Sequence, residues 1–272
     1  MQLTQAILPV AGLGTRFLPW TKAVPKEMLP IGNRPIIALL VDECLDVGIR
    51  EICFVINHGK EVIPEYFAEN PALEAELKKR GKTEIFDELR RYDEVKFHVV
   101  YQEEQLGDGH AILQARQWAK SPLSAVLFGD DLIAGKTSGL AQLVNAYDAL
   151  NEKEAVMLCL EDVPRDRVSK YGIVAIDEAA SKPRLKKISG LVEKPKPENA
   201  PSTLGIVGKY LIPRSTFDVL AKVQHGPGSE VRLIDALKMQ LDSTPTYGWI
   251  AEGKRLDTGT PEGYKEAVQM LG

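Results

Sequence analysis

Cysteine is scarce in this chain, with three in 272 residues. Cys44, Cys53 and Cys159 stand singly among apolar neighbours, without CxxC or Cys/His spacing. That excludes a disulfide framework and a zinc-finger pattern, and points to buried thiols in a reducing compartment. Histidine numbers four, and His58, His98 and His225 show no ligand spacing. No signal-like N-terminal pattern and no apolar run of bilayer length are present, which predicts a cytoplasmic protein with no membrane partner. A formal charge of −4 argues against bulk nucleic-acid binding. Neither a Gly/Ser linker nor a repeat interrupts the chain, so residues 1–272 are expected to form one compact domain.

One absence is local. Met1–Lys26 contains Arg16, Lys22 and Lys26 but no Asp or Glu, although the whole chain is net negative. A cationic loop after an apolar run suggests an anionic ligand, with basic function focused at a site.

The hydrophobic pattern alternates between strand and helix. Ala6–Val10, Glu51–Ile56, Lys96–Tyr101, Ala125–Phe128 and Ala155–Leu160 read as strands. Pro35–Val47, Glu61–Phe67, His110–Trp118 and Leu140–Leu150 read as helices. Asn70–Glu94 is dense in both charge signs, as expected of a solvated helical excursion. Beyond Asp162 come shorter strands at Gly172–Ile176, Lys186–Glu193 and Leu204–Tyr210. Helices follow near Phe217–Lys222 and Glu230–Leu241, then a strand near Tyr247–Ala251 and a closing helix at Thr260–Met270. The fold class this predicts is α/β: a Rossmann-like, mixed but mostly parallel central sheet flanked by helices.

The first strand runs into Gly12-Leu-Gly14. A dinucleotide fingerprint needs a third glycine opening a helix, but Phe17 stands there and Pro19 soon follows; the P-loop pattern is also absent. Gly-x-Gly alone fits a tight turn equally well. The wider string says more. Glycine lets backbone N–H groups approach phosphate oxygens. Arg16 can fork onto phosphate, while Lys22 and Lys26 offer compact charges. Three cations could offset a triphosphate.

The string "AGLGTRFLPWTKAVPKEMLP" resembles the signature of the sugar-1-phosphate nucleotidylyltransferases, and its "PKEMLP" ending resembles the members that use UTP and glucose 1-phosphate. The blocks "YQEEQLGDGHAI", "FGDD", "KYGIV", "GLVEKPKPENAPSTLGIVGKYL", "GSEVRLIDAL" and "KRLDTG" follow in the family's order. The resemblance implies a nucleotide-binding half at about 1–160 and a sugar-binding half at about 161–272. It implies Mg²⁺ as cofactor, with Asp130 and Asp257 as its ligands, while Asp131 reads as a cap or a support. Ala11, Gly12, Gln102 and Gly107 would contact the uracil, with Gly14 and Thr15 in the phosphate loop. Arg16 would hold the β- and γ-phosphates and Lys26 would lie near the α-phosphate, while Lys22 reads as a surface residue. Glu193 would accept glucose hydroxyls, Lys194 would meet the sugar phosphate, and Gly172 would allow close backbone approach. His110 reads as structural packing beside the loop. A homodimer or homotetramer is implied, with the late helices as candidate contacts.

The chain departs from the family at several positions. Asp108 stands where Leu is usual in Gly-Leu-Gly-His-Ala, placing a carboxylate beside the base or phosphate pocket. Arg232 and Ile234 replace the common Gln and Thr, and Thr203 replaces Asn. Two alternatives remain open from the sequence: an enzyme using dTTP, and a regulatory relative that has kept the fold but lost turnover. The presence of Arg16, Lys26, Asp130, Lys194 and Asp257 argues against the second.

Overall fold

The computed structural model describes residues 3–152, 154–224 and 230–272; His225, and the Gly228-Ser229 start of "GSEVRLIDAL", lie outside them. The chain opens with β1 (Gln5–Pro9), a loop of short 3-10 turns, the small hairpin β2 (Pro30–Ile31) and β3 (Arg34–Pro35), and α1 (Ile36–Asp46). β4 (Glu51–Ile56) leads through α2 (Val62–Tyr66), α3 (Pro71–Lys79) and α4 (Phe86–Leu89) to β5 (Lys96–Tyr101). Next come α5 (Asp108–Gln114), β6 (Leu123–Leu127), β7 (Asp131–Ala134), α6 (Gly139–Asp148) and β8 (Val156–Asp162). The later part comprises β9 (Gly172–Asp177), β10 (Leu185–Glu193), β11 (Leu204–Pro213), α7 (Thr216–Leu220), α8 (Leu233–Gln240), β12 (Thr246–Ile250), β13 (Lys254–Asp257) and α9 (Pro261–Leu271).

Nine strands form one sheet in the order β5-β4-β1-β6-β11-β8-β12-β10-β9. The parallel part is narrower than the alternating pattern suggests. β5, β4, β1 and β6 pair in parallel, as do β8 and β12, whereas β6–β11, β11–β8, β12–β10 and β10–β9 are antiparallel. The cause is connectivity: helical crossovers allow parallel neighbours, while the short β9–β10 link permits only a hairpin. Strands from early and late sequence interleave at the centre, where all ten residues of β11 are buried.

Period-two alternation divides the core into two layers. Ala6, Leu8, Ile52 and Phe54 pack on one face with α1 and α6, while Ile7, Cys53 and Val55 pack on the other with α5, α7 and α8. The three thiols are free and buried, and burial pushes Cys53 and Cys159 up to about 12, which makes them inert. The charged excursion is helical and largely exposed, with ion pairs Arg80–Glu76 and Arg90–Glu74 on its surface. Among the described residues, no helix is long and apolar enough to cross a membrane.

The small ladder between β7 and β13 was not legible in the sequence. It sets Asp257 opposite Asp131, one residue from Asp130.

Candidate active site

The parallel strands end on one edge, where open α/β sheets bind ligands. β1 stops at Pro9 and delivers Ala11 and Gly12; β6 stops at Leu127 and delivers Gly129 and Asp130. A cleft of about 400 Å³ opens there, lined by Ala11, Gly12, Lys26, Gln102, Gly107 and Asp130 among others. These six residues come from four separate stretches of chain. Gly14, Thr15 and Arg16 stand beside it on a loop whose turn Gly14 makes at φ +64°. Arg16 Nη1 donates to the Gly259 carbonyl at 3.3 Å, so the loop's arginine reaches the β13 end. Lys22 is exposed.

The two aspartates meet at Gly259. A Cβ on that residue would lie 2.6 Å from Asp130 Oδ2 and 3.0 Å from Asp257 Oδ1, so both carboxylates crowd the same glycine. Thr258 N donates to the Asp130 carbonyl at 2.8 Å, and Gly259 N to Asp257 Oδ1 at 3.0 Å. Lys26 Nζ donates to Asp130 Oδ2 at 2.5 Å. Burial opposes the charge on Lys26, but Asp130 and Glu27 outweigh it and hold the ammonium above its ordinary value. Burial likewise opposes the charge on Asp130, yet Lys26, Arg255 and Arg16 keep its carboxyl below the usual carboxylate range.

Three further charged groups escaped the sequence reading. Glu27 is buried and accepts from Lys60 Nζ at 2.9 Å, while the same ammonium donates to the Val10 carbonyl at 2.6 Å. This pair pins the cationic loop to the end of β1. Arg255 Nε donates to Asp131 Oδ1 at 2.5 Å, and Gly208 N to Asp131 Oδ2 at 2.9 Å. Asp131 is therefore a support, as the sequence suggested. Glu27 lay in plain view inside "PKEMLP", but nothing local marks Lys60 or Arg255.

At the wall of the cleft, Gln102 Nε2 donates to the Gly107 carbonyl at 3.0 Å and lies 3.1 Å from His110 Nδ1. Its amide nitrogen is thereby engaged by two partners. His110 is thus more than packing: it helps to orient Gln102. Asp108 lies at the pocket, where its position in the sequence placed it, and is also tied to α8. It lines the cleft, and its Oδ1 accepts from Leu233 N at 2.8 Å at the start of α8. Desolvation, reinforced by Glu193 and Glu230, raises its carboxyl above the ordinary range.

Gly107 has φ +105°, and a Cβ there would meet the Val231 carbonyl oxygen at 2.5 Å. Gly107→Ala is therefore expected to cost about 1–3 kcal/mol in backbone strain, as read by urea unfolding. Unchanged stability would show that the turn at Gly107 relaxes to admit a side chain.

Gly172, Glu193 and Lys194 form a second group on the β9–β10 ladder, outside the lining of the cleft. Glu193 pairs with Gly172 in register. Lys194 takes φ +46°, the one non-glycine residue with positive φ among those described, and its N donates to the Tyr171 carbonyl at 2.9 Å. Its Nζ is 3.3 Å from Glu193 Oε1 and its side chain is 61% exposed. The Ile234 methyl stands where a Cβ of Gly172 would fall, at 2.6 Å.

An open cleft at the carboxyl edge of an α/β sheet, with lysine and arginine beside paired carboxylates, has the character of a site for phosphate-bearing ligands. The nucleotidyl transferase family matches residues 5–272, and the chain belongs to that family. It is 38% identical over 272 residues to the UTP–glucose-1-phosphate uridylyltransferase YngB of Bacillus subtilis (strain 168), covering 100% of this chain and 90% of that protein. Among solved structures it resembles a UDP-glucose pyrophosphorylase complexed with UDP-glucose, with TM-score 0.86, 32% identity, and coverage of 98% and 97% of the two chains. It also resembles a UTP-bound UGPase from Acinetobacter baumannii, with TM-score 0.89, 33% identity, and coverage of 98% and 92%.

Proposed function

We propose that the chain transfers the uridylyl group of UTP to glucose 1-phosphate, giving UDP-glucose and pyrophosphate. The convergence of Asp130 and Asp257 on Gly259, beside Lys26 and Arg16, carries this reading. A phosphate oxygen of the sugar phosphate attacks the α-phosphorus, and the bond from that phosphorus to the bridging oxygen breaks as pyrophosphate leaves. No protein nucleophile is needed, so catalysis is positioning and charge neutralisation.

Mg²⁺ fits the donor set. Asp130 and Asp257 crowd one glycine, and two carboxylates suit a cation that fills its shell with phosphate and water. Asp130 and Asp257 would hold it, and when bound it offsets charge on the phosphate oxygens. Lys26, released from Asp130, serves the α-phosphate, and Arg16 the β- and γ-phosphates beside Gly14 and Thr15. The backbone at Ala11, Gly12 and Gly107 frames the base, with Gln102 Oε1 accepting the uracil N3–H. Glu193 takes glucose hydroxyls beside Gly172, and Lys194 takes the sugar phosphate. One domain with a nucleotide half at about 1–160 and a sugar half at about 161–272 accommodates both ends.

The test is pyrophosphate release with Mg²⁺ against panels of nucleotides and sugar phosphates. UTP should lead. Thymine differs by one methyl, worth roughly 1–3 kcal/mol of selection, so dTTP should be weaker but measurable. CTP should be negligible, because cytosine N3 cannot donate to Gln102 Oε1. A panel in which dTTP or CTP matches UTP overturns the uridylyl reading.

Lys194→Ala should raise the glucose 1-phosphate KM about tenfold, the scale of one charged hydrogen bond, and lower the rate. Unchanged sugar-phosphate kinetics would return Lys194 to a surface role. The buried free thiols support a cytoplasmic location. Exposed Met239 on α8 and Val268, Met270 and Leu271 on α9 support a homodimer or homotetramer through the late helices, measurable by light scattering.

A further inference from the structure

Arg255 lies beside Asp257 of the first group of site residues and beside Tyr171, the residue before Gly172 of the second. Its side chain is 11% exposed, and Nε and Nη2 both approach Asp131 Oδ1 at 2.5 Å. Nη2 also stands 3.8 Å from Asp257 Oδ2, the carboxylate that converges with Asp130 on Gly259. On its other side Nη1 donates to the Tyr171 hydroxyl at 3.0 Å, and the guanidinium carbon sits 5.1 Å from the centre of that ring. A fourth carboxylate, Glu161, lies 3.7 Å from Nη1.

Tyr171 leads directly to the sugar end. Its carbonyl accepts from Lys194 N, holding the φ +46° turn that points this lysine out of β10, and the next residue is Gly172. The hydroxyl and the carbonyl of one tyrosine thus join a guanidinium at the carboxylates to a strained lysine at the ladder's end. A positive φ on a residue with a Cβ persists only when its surroundings hold it there.

We propose that Arg255 is a positioning residue that, through Tyr171, sets Lys194 relative to the Asp130–Asp257 pair, and so fixes where the incoming sugar phosphate stands against the nucleotide. The proposal rests on the function given above. Arg255 touches neither substrate; its fork engages Asp131 and Tyr171 together, which a lysine cannot do.

Wild-type protein is first assayed with UTP and glucose 1-phosphate; failure to form UDP-glucose would sink the functional reading itself. With that activity in hand, Tyr171→Phe removes only the hydroxyl. We expect a roughly five- to tenfold rise in the glucose 1-phosphate KM, the scale of one hydrogen bond to a charged group acting at one remove. The UTP KM should stay unchanged. Calorimetric titration should show the same loss for UDP-glucose and none for UMP, which lacks the sugar phosphate. Arg255→Lys should reproduce the sugar-phosphate defect, and the double variant should be no worse than the more affected single one, because both cut the same link. The proposal is overturned if Tyr171→Phe leaves sugar-phosphate KM and UDP-glucose affinity unchanged. It is equally overturned if both substrates weaken alike, as general loosening would produce, or if the two substitutions multiply.

Discussion

Asp130→Asn is expected to lower turnover at least about a hundredfold, the loss typical of removing one preorganised electrostatic contact in an active site. Asparagine keeps the shape of the side chain, so packing against Gly259 survives while the charge disappears. Two consequences follow from the geometry. The proposed Mg²⁺ would lose one of its two carboxylates, and Lys26 loses the partner at 2.5 Å that holds it in the cleft. Asp257→Asn should have a comparable effect on turnover but leave the Lys26 pair intact. Steady-state rates across a Mg²⁺ titration separate them: both variants should need more Mg²⁺, and chelation should abolish wild-type activity. Near-normal rates for both at saturating Mg²⁺ would remove the metal assignment. Melting temperatures close to wild type would show that the loss is chemical.

The second large effect concerns stability. Lys209 lies in the middle of β11 with a side chain wholly shielded from solvent, and Nζ donates to Glu43 Oε1 at 2.9 Å. Glu43 belongs to α1, and its other oxygen accepts from Leu140 N at 3.0 Å, in the first turn of α6. One carboxylate therefore ties two helices to the central strand. Lys209→Ala leaves that carboxylate buried without its cation, and the expected cost is about 3–5 kcal/mol. Urea unfolding at constant m-value measures it. Replacing both partners, Lys209→Met with Glu43→Leu, should cost less than the single change, because no buried charge is then stranded. A single-variant cost below about 1 kcal/mol would show that solvent or repacking relieves Glu43, contrary to its enclosure.

Much of the element pattern was legible because it is local. Glu51–Ile56 is a strand because six consecutive residues suit a pleated, buried surface, and α1 is a helix because Ile36, Leu40 and Cys44 recur on one face. The cationic glycine loop was legible too, since Gly12, Gly14, Arg16 and Lys26 fall within fifteen residues of chain. The solvated excursion and the three inert thiols likewise follow from composition.

The meeting of Asp130 with Asp257 belongs to the tertiary structure. It depends on β7 pairing with β13, short strands without a period of their own, and Arg255 reaches Asp131 across 124 residues. The sheet was expected to be mixed, but which neighbours run antiparallel was hidden, because a strand's own side chains alternate in the same way whichever way its neighbour runs. Likewise, Lys60 is an ordinary lysine until β1 and the cationic loop bring Glu27 and the Val10 carbonyl against it. Asp108 reads as a charge beside a pocket until α8 turns its backbone N–H toward it. Periodicity records which face of an element is buried. Which distant group that face will meet is decided only when the loops close and the layers pack.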